Sequence, residues 1–250
     1  MDVLLVYSGL LILLAGLISV VKPLRILRIS TRRIGTMVLC GGLALALLGA
    51  LLPSPLVYTE SMRTHLDYFM PAYQFREVHT VLVKAPPARV FRAVKAVTSD
   101  EILFFRTLTW IRSPRLSSGG RESLLNAPRG KPMLEVATSS GFLLLAEEPD
   151  REIAIGTVLG EGPLRAAGNP TPEDFLLFIR PGHSKVAMNF HIEETAAGLC
   201  RVTSETRVFS TDPSARRIFG AYWRLIYPGS AIIRRMWLRA IERRAERGGL

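Results

Sequence analysis

The residues best suited to acid–base or metal chemistry are scattered through this sequence. The four histidines are His65, His79, His183 and His191, and only Cys200 could join them as a metal ligand. Their spacing is not that of a metal site. The sequence also has no nucleophile elbow, phosphate-binding loop or zinc-protease helix motif. We therefore predict no catalytic residues, no metal and no cofactor, and an enzyme is a less favoured class.

Two charged residues near the C-terminus could instead contact a ligand. In the predicted strand Leu199–Phe209, Glu205 and Arg207 share one face, opposite the apolar residues. A solvated edge carrying a Glu–Arg pair is one interpretation. The other is a polar contact inside a cavity, where the pair would orient a ligand head group. Glu152 is a similar candidate.

The apolar residues that could line such a cavity come from one predicted strand and one predicted helix. Each element has an apolar face that needs a partner, so we expect the two faces to meet. The candidate wall residues are Met188, Phe190, Ile192, Tyr222, Trp223 and Ile226. A fully packed core with no cavity is the alternative.

The helix that supplies half of this wall is long and amphipathic. Asp212 and Pro213 give it an N-cap and a first-turn proline, and the pattern continues to Arg247. Pro228 interrupts it, because proline cannot donate to the carbonyl four residues earlier. We expect a kink or short break there. It would be either a bend around a curved sheet or a hinge over a cavity mouth.

The end of the long helix is strongly basic. Cations near a helix C-terminus are favoured by the helix dipole, and they also attract anionic lipid head groups. We predict a membrane-surface role for Arg239, Arg243, Arg244 and Arg247. The whole chain has a net charge of +11. It has no repeat of aromatic and basic residues, so nucleic acid is not an expected partner.

Two apolar runs open the chain, Val3–Val21 and Ile34–Leu52. Neither contains a charge, and each is close to the length of about 20 residues that spans a bilayer core. The first is not a typical signal peptide, because it starts with Asp2 and no small-x-small cleavage site follows. We predict two transmembrane helices.

Small residues recur at every fourth position of the second run, at Gly42, Ala46 and Ala50. Such a stripe lets two helices approach closely. Pairing with Gly9 and Gly16 of the first run is the simple explanation, and homodimerisation is the weaker one.

The segment between the two runs, residues 22–33, carries five positive and no negative charges. Short basic loops stay on the cytoplasmic side of a membrane. The N-terminus and everything after Leu52 should therefore lie on the extracytoplasmic side.

The rest of the chain reads as an aromatic connector followed by alternating strands and helices. A short helix around 61–69 could lie at the membrane interface or pack on the soluble domain. A strand over 77–84 and helices over 88–97 and 100–112 follow, and a short strand could occupy 122–125. Further strands are predicted over Phe142–Glu148, Glu152–Leu159, Asp174–Arg180, Lys185–Glu194 and Leu199–Phe209. Their turn-like breaks favour antiparallel hairpins.

This order of elements resembles the START-like helix-grip proteins of the SRPBCC superfamily. Val81–Phe91 resembles the junction between their first strand and first helix. Ser204–Val208, leading to Asp212-Pro213 and Tyr222-Trp223, resembles their membrane-attached bacterial members. The resemblance implies an α+β fold, in which an antiparallel sheet wraps around a long C-terminal helix and leaves an apolar cavity. It implies no single activity, since the superfamily includes lipid carriers and cyclases.

We accordingly predict a transmembrane helical hairpin at 1–55, an aromatic juxtamembrane connector at 56–76 and a START-like domain at 77–250. The expected function is a membrane-anchored binding protein for a hydrophobic small molecule or lipid, with membrane lipids as partners. The alternatives are a membrane-tethered interaction or scaffold domain with a filled core and, less favoured, a cyclase-like enzyme. The sequence leaves homo-oligomerisation open.

The topology can be tested with cysteine labelling. In intact cells, Ser30→Cys should be shielded from membrane-impermeant thiol reagents, because the basic loop is cytoplasmic, whereas Leu250→Cys should react. The parent chain, with Cys40 and Cys200 only, gives the background. The opposite labelling pattern would exclude the extracytoplasmic assignment.

Overall fold

The computed structural model describes residues 2–22, 29–112, 127–160 and 168–248. Its helices are α1 (Asp2–Val21), α2 (Arg32–Leu51), α3 (His65–Phe69), α4 (Pro87–Ala96), α5 (Phe105–Arg112), α6 (Met133–Ser139), α7 (Pro172–Leu177) and α8 (Pro213–Glu246). Its strands are β1 (Val57–Tyr58), β2 (Ala72–Tyr73), β3 (Phe75–Val83), β4 (Leu143–Glu148), β5 (Glu152–Leu159), β6 (Ser184–Ala196) and β7 (Leu199–Ser210). The strand suggested at 122–125 lies outside these residues.

The predicted fold class is confirmed: the chain is α+β, with two N-terminal apolar helices, an antiparallel sheet and a long C-terminal helix. The main sheet has five strands in the order β3-β7-β6-β5-β4, and each neighbouring pair is antiparallel. The long helix α8 begins as expected. The Asp212 side chain accepts hydrogen bonds from the amides of Ser214 and Ala215, at 2.7 and 3.0 Å.

The residues group into two compact units, and α8 contributes to both. The apolar hairpin, which we define as α1 and α2 with the chain up to Ser54, forms one unit together with residues 217–227 of α8. Residues 55–216 and 228–250 form the other. Pro228 lies at the boundary between the two units. Even so, α8 is one continuous helix from Pro213 to Glu246. The short break is absent, because proline removes only one donor and the neighbouring turns keep theirs. A kink at Pro228 stays a prediction.

Within the apolar hairpin, the two backbones touch at glycines. A methyl group on Gly42 would lie 2.3 Å from the amide nitrogen of Leu13, and one on Gly9 would lie 2.4 Å from that of Ala46. One on Gly16 would meet Leu39 at the same 2.4 Å. The small-residue stripe therefore pairs α1 with α2, as predicted.

In the other unit, the sheet is covered on both faces. Its inner face, which carries Met188, Phe190 and Ile192, packs in one core with Trp237 and Ile241 of α8. The outer face is covered by α3 and α7, through a second cluster that includes Leu66, Phe69, Met70, Phe175 and Phe178. The short helix of the aromatic connector thus packs on the sheet.

Two predicted elements are wrong, each for a local reason. The strand expected at Asp174–Arg180 is replaced by α7, because Thr171 and Asp174 form a reciprocal capping box ahead of it. The single helix expected over 100–112 is split into a 3₁₀ turn, Ser99–Glu101, and α5. Phe104, between them, has a left-handed φ of 61°. Helix α6 lies in a stretch for which no helix was predicted.

The close approach of α1 and α2 makes Gly42 intolerant of a side chain. We expect Gly42→Val to lower the thermal denaturation midpoint of the detergent-solubilised chain, because the added carbons would overlap the Leu13 backbone; overpacking of this kind costs about 1–3 kcal/mol. Gly41→Val is the matched control, since a methyl group there meets no atom within 4 Å. Equal midpoints for the two variants would contradict this packing.

Candidate functional site

The inner face of the sheet is polar on one side and apolar on the other. Side chains directly opposite each other on antiparallel strands project from the same face. One such row across β3, β7, β6 and β5 is Glu77, Thr206, Met188 and Ile155. The next is His79, Ser204, Phe190 and Ile153. In these two rows, polar residues occupy β3 and β7, and apolar residues occupy β6 and β5.

A buried carboxylate anchors the polar side. Glu77 is only 2% exposed. Its Oε1 lies 2.8 Å from His79 Nε2, and its Oε2 accepts a hydrogen bond of 2.9 Å from the hydroxyl of Ser230 on α8. Both oxygens are therefore engaged, as a buried carboxylate requires. The alternation of β3 turns Glu77 and His79 inward, while Arg76, Val78 and Thr80 are exposed.

Two polar atoms at this site have no hydrogen-bond partner among the residues described. They are Ser204 Oγ and Trp237 Nε1, in side chains of residues that are 2% and 3% exposed. Each such atom costs about 1–3 kcal/mol when it is left unpaired. Both belong to the packing around Phe190: Ser204 is its partner across the strands, and the Trp237 ring centroid is 5.0 Å from its own.

Helix α8 lines the site with one face. Ser230, Arg234 and Trp237 follow at spacings of four and three residues, which places them on the same side of a helix. The Arg234 guanidinium donates to Met188 Sδ at 2.9 Å, and its carbon lies 5.7 Å from the centroid of the Trp237 ring. The site can therefore offer a hydroxyl and an indole N–H to an acceptor oxygen, beside an apolar surface.

The predicted wall residues are only partly brought together. Met188, Phe190 and Ile192 lie in the core that faces α8. Tyr222, Trp223 and Ile226 belong to residues 217–227, which are grouped with the apolar hairpin. The part of α8 that meets the inner face starts at Ser230 instead. The apolar arc runs the length of α8, so its periodicity could not show which stretch meets the sheet.

Glu205 and Arg207 lie on the outer face of the sheet, in a buried ionic network. Arg207 donates to Glu205 at 2.6 Å, to Asp67 at 2.7 Å and to the carbonyl of Met70 at 3.1 Å. Arg76 binds Glu205 with two hydrogen bonds, of 2.7 and 3.1 Å. Arg207 is 5% exposed, so this edge is not solvated. Neither candidate polar contact lies at the inner face, because successive residues of β7 alternate between faces.

Asp67 stays ionised in this network. Burial acts to raise the pKa of its carboxyl group, but hydrogen bonds from Arg207, Arg63 and Thr64 outweigh burial and lower that pKa to about 2. A depressed folded-state pKa stabilises the fold above the unfolded value. This contribution is therefore lost only as the pH falls from about 4 towards 2.

Glu152 also acts on the outer face, where it holds the first turn of α3. It accepts hydrogen bonds from the amides of His65 and Leu66, at 2.8 and 3.3 Å, and from the side chain of Asn189 at 2.6 Å. With these partners, Glu152 fixes the connector to the sheet.

The basic end of α8 borders a cavity of about 520 Å³. It is lined by Asp100, Glu101, Leu103, Ala240, Arg243, Arg244 and Arg247. Arg243 donates to the Glu101 carbonyl and Arg244 to its carboxylate, all at 2.9 Å. Arg239 and Arg247 are exposed. A membrane-surface role for these four arginines stays a prediction. Across the described parts of the chain, no group of three or more His, Cys, Asp or Glu side chains could hold a metal ion.

The polar residues of the inner face were not predicted from the sequence, although the alternation of β3 indicates two of them. Glu77 and His79 occupy the same alternating positions as Val81 and Val83, which are apolar. Polar residues on the buried face of a strand are unusual and point to a partner inside. The pairing of Glu77 with Ser230 could not be predicted, because 153 residues separate them.

No protein-family model and no curated protein matches the chain. Solved structures similar to it include protein MLL2253 from Mesorhizobium loti, with 17% identity over 70% of this chain and 100% of that chain and a TM-score of 0.32. TTHA0849 from Thermus thermophilus has 12% identity over 68% and 97% of the two chains, with a TM-score of 0.27. The Zhui aromatase/cyclase from Streptomyces sp. R1128 has 13% identity over 70% and 99%, with a TM-score of 0.26. Similarities this weak leave the function to be argued from the contacts of this chain.

The ionic network on the outer face predicts a large effect of one substitution. Arg207→Ala should reduce the free energy of unfolding by about 3–5 kcal/mol, because it leaves Asp67 buried without its cation and leaves Glu205 with Arg76 alone. Arg201→Ala on the same strand is the control; it breaks an exposed pair with Glu193 and should cost less than about 1 kcal/mol. Denaturant unfolding of the detergent-solubilised chain measures both, and similar losses would refute a stabilising role for the network.

Proposed function

We propose that this chain is a membrane-anchored protein with a START-like helix-grip domain that binds a hydrophobic small molecule or lipid. The ligand would lie between the inner face of the sheet and residues 228–246 of α8. One observation carries the proposal: Ser204 Oγ and Trp237 Nε1 are buried without partners where the polar and apolar halves of the inner face meet. A bound ligand would remove the cost of leaving them unpaired.

The chemistry of the two atoms indicates the class of ligand. An indole N–H can only donate a hydrogen bond, and a serine hydroxyl can donate or accept. Each can therefore donate to an acceptor oxygen, such as that of a carbonyl, carboxylate or hydroxyl group. The neighbouring Met188 and Phe190 offer only apolar contacts, apart from the bond of Met188 to Arg234. The ligand that fits is an amphiphile with an oxygen-bearing end and an apolar body.

The surface of the apolar hairpin supports a membrane anchor. Leu4, Leu11, Met37 and Leu51 are each more than two-thirds exposed. Both helices are long and apolar enough to cross a bilayer. Side chains of this kind are stable in lipid and costly in water. With the basic segment 22–33 on the cytoplasmic side, the unit that contains the sheet would be extracytoplasmic. The exposed Arg239 and Arg247 could then bind anionic lipid head groups.

A second function is favoured by the packing of the same face. Met188 and Phe190 are each 1% exposed, and Phe190 contacts the Trp237 ring. A core filled in this way suits an interaction or scaffold domain whose partner is another membrane protein. A cyclase-like enzyme is the least supported class, because Glu77 and His79 are the only acid–base pair described at the inner face and Ser230 already engages the second oxygen of Glu77.

The binding function can be tested on the full chain purified in mild detergent. Mass spectrometry of an organic extract should show a stoichiometric amphiphile. In Ser204→Ala the amount retained at limiting ligand should fall about tenfold, which corresponds to the loss of one hydrogen bond. The stability of the ligand-free chain should stay the same or rise, because the substitution removes an unpaired hydroxyl group.

Ser210→Ala is the matched control on the same strand. The Ser210 hydroxyl is already paired with that of Ser184 at 2.8 Å, so this variant should lose about 1 kcal/mol of stability and keep its ligand. A wild-type chain that repeatedly yields no amphiphile would instead support the scaffold. Full retention by Ser204→Ala would place the ligand elsewhere.

A further inference from the structure

We infer that residues 217–227 of α8 form a third membrane-contacting element, which inserts an apolar ridge among lipid acyl chains beside the hairpin. We define the ridge as Ile218, Tyr222 and Leu225. The inference rests on the proposed membrane anchor and goes beyond it, because this helix follows the sheet in sequence and its hydrophobicity is too low to mark it as a membrane span.

Hydrogen bonds attach this part of α8 to one end of the apolar hairpin. The Tyr7 hydroxyl donates to the carbonyl of Leu225 at 2.6 Å. Arg224 donates to the carbonyls of Leu52 and Ala50, at 2.6 and 3.2 Å. The last carbonyls of a helix have no donor within the helix, so a basic side chain there both pairs them and complements the dipole. Arg224 is 3% exposed, so this contact is shielded.

The ridge is apolar and partly exposed. Ile218, Tyr222 and Leu225 are spaced by four and three residues, which aligns them on one side of the helix. They are 72%, 37% and 63% exposed. Phe219 and Trp223 on an adjoining face are buried, at 8% and 7%. An exposed apolar face of this kind is unfavourable in water and is stabilised by contact with another apolar surface.

The position along the hairpin matches the boundary between head groups and acyl chains. Tyr7 lies five residues after the start of α1, about 8 Å along its axis. Gly49 packs against Val6, so Tyr7 is level with the last turn of α2. The bond to Leu225 therefore lies inside the span, at the depth of about 5–10 Å where amphipathic helices embed. The aromatic rings of Tyr222, Trp223 and Tyr227 are also typical of this depth.

Lipid is the occupant that these observations favour. The ridge extends a surface that the membrane already has to cover: Leu4, one turn before Tyr7, is 73% exposed, and Leu51, beside the Arg224 contact, is 79% exposed. A second copy of the chain is a weaker occupant. Three partly exposed side chains offer far less than the roughly 800 Å² per partner that a stable protein interface buries.

The test uses nitroxide labels on the full chain in vesicles of phosphatidylcholine and phosphatidylglycerol. Single cysteines are placed by Ile218→Cys, Leu225→Cys and Arg235→Cys, each in a Cys40→Ala background with the buried Cys200 retained. Electron paramagnetic resonance then compares relaxation by oxygen, which concentrates in lipid, with relaxation by a water-soluble nickel chelate. We expect the oxygen-to-nickel ratio at positions 218 and 225 to be several-fold higher than at the exposed Arg235 position of the same helix.

A label at Leu11→Cys separates failure of this inference from failure of the anchor. Water-accessible labels at 218 and 225 with a lipid-accessible label at 11 would overturn the inference and leave the anchor in place. A water-accessible label at 11 would overturn the proposed anchor as well. Labels at 218 and 225 that neither reagent reaches would indicate a protein partner and would also overturn the inference.

Discussion

Different parts of helix α8 pack against the sheet and against the apolar hairpin, and the rest of the structure depends on this double packing. Its last part, from Ser230 onward, covers the inner face of the sheet with Trp237, Leu238 and Ile241. Residues 217–227 are grouped with the apolar hairpin, where Arg224 pairs the free carbonyls of α2. A helix of 34 residues can serve both surfaces only because its apolar arc continues along its length.

The two faces of the sheet differ in whether their buried polar groups are paired by hydrogen bonds. On the outer face, Asp67, Glu205 and Arg207 pair with one another and with backbone groups, which makes that layer a fixed support for the connector. On the inner face, Glu77 is fully paired, while Ser204 and Trp237 each leave one atom unpaired. Because an unpaired buried group is costly, the place where a fold tolerates it is where a ligand is most readily accommodated.

Much of the fold followed from patterns in the sequence, because those patterns reflect local physics. Strand alternation, the Asp212-Pro213 helix start and the glycine stripe at Gly42 each act over a few residues, and the structure agrees with them. Local effects also explain the failure at Asp174, where a capping box outweighed the strand pattern. The site was harder to predict, because Glu77, Ser204 and Ser230 come together from distant parts of the chain. Arg207 looked like half of a surface pair, since nothing in the sequence places Asp67 above it.

The shared helix also means that the apolar hairpin is not a removable module. The boundary between two units of a protein usually falls in an exposed linker, where few interactions cross it. Here a fragment that began at Pro55 would lose the carbonyl partners of Arg224 and would leave that buried cation without them. A foreign helical hairpin grafted in its place would have to present free backbone carbonyls at the same point. Because Arg224 binds backbone carbonyls, it constrains where α2 ends and not which side chains α2 carries.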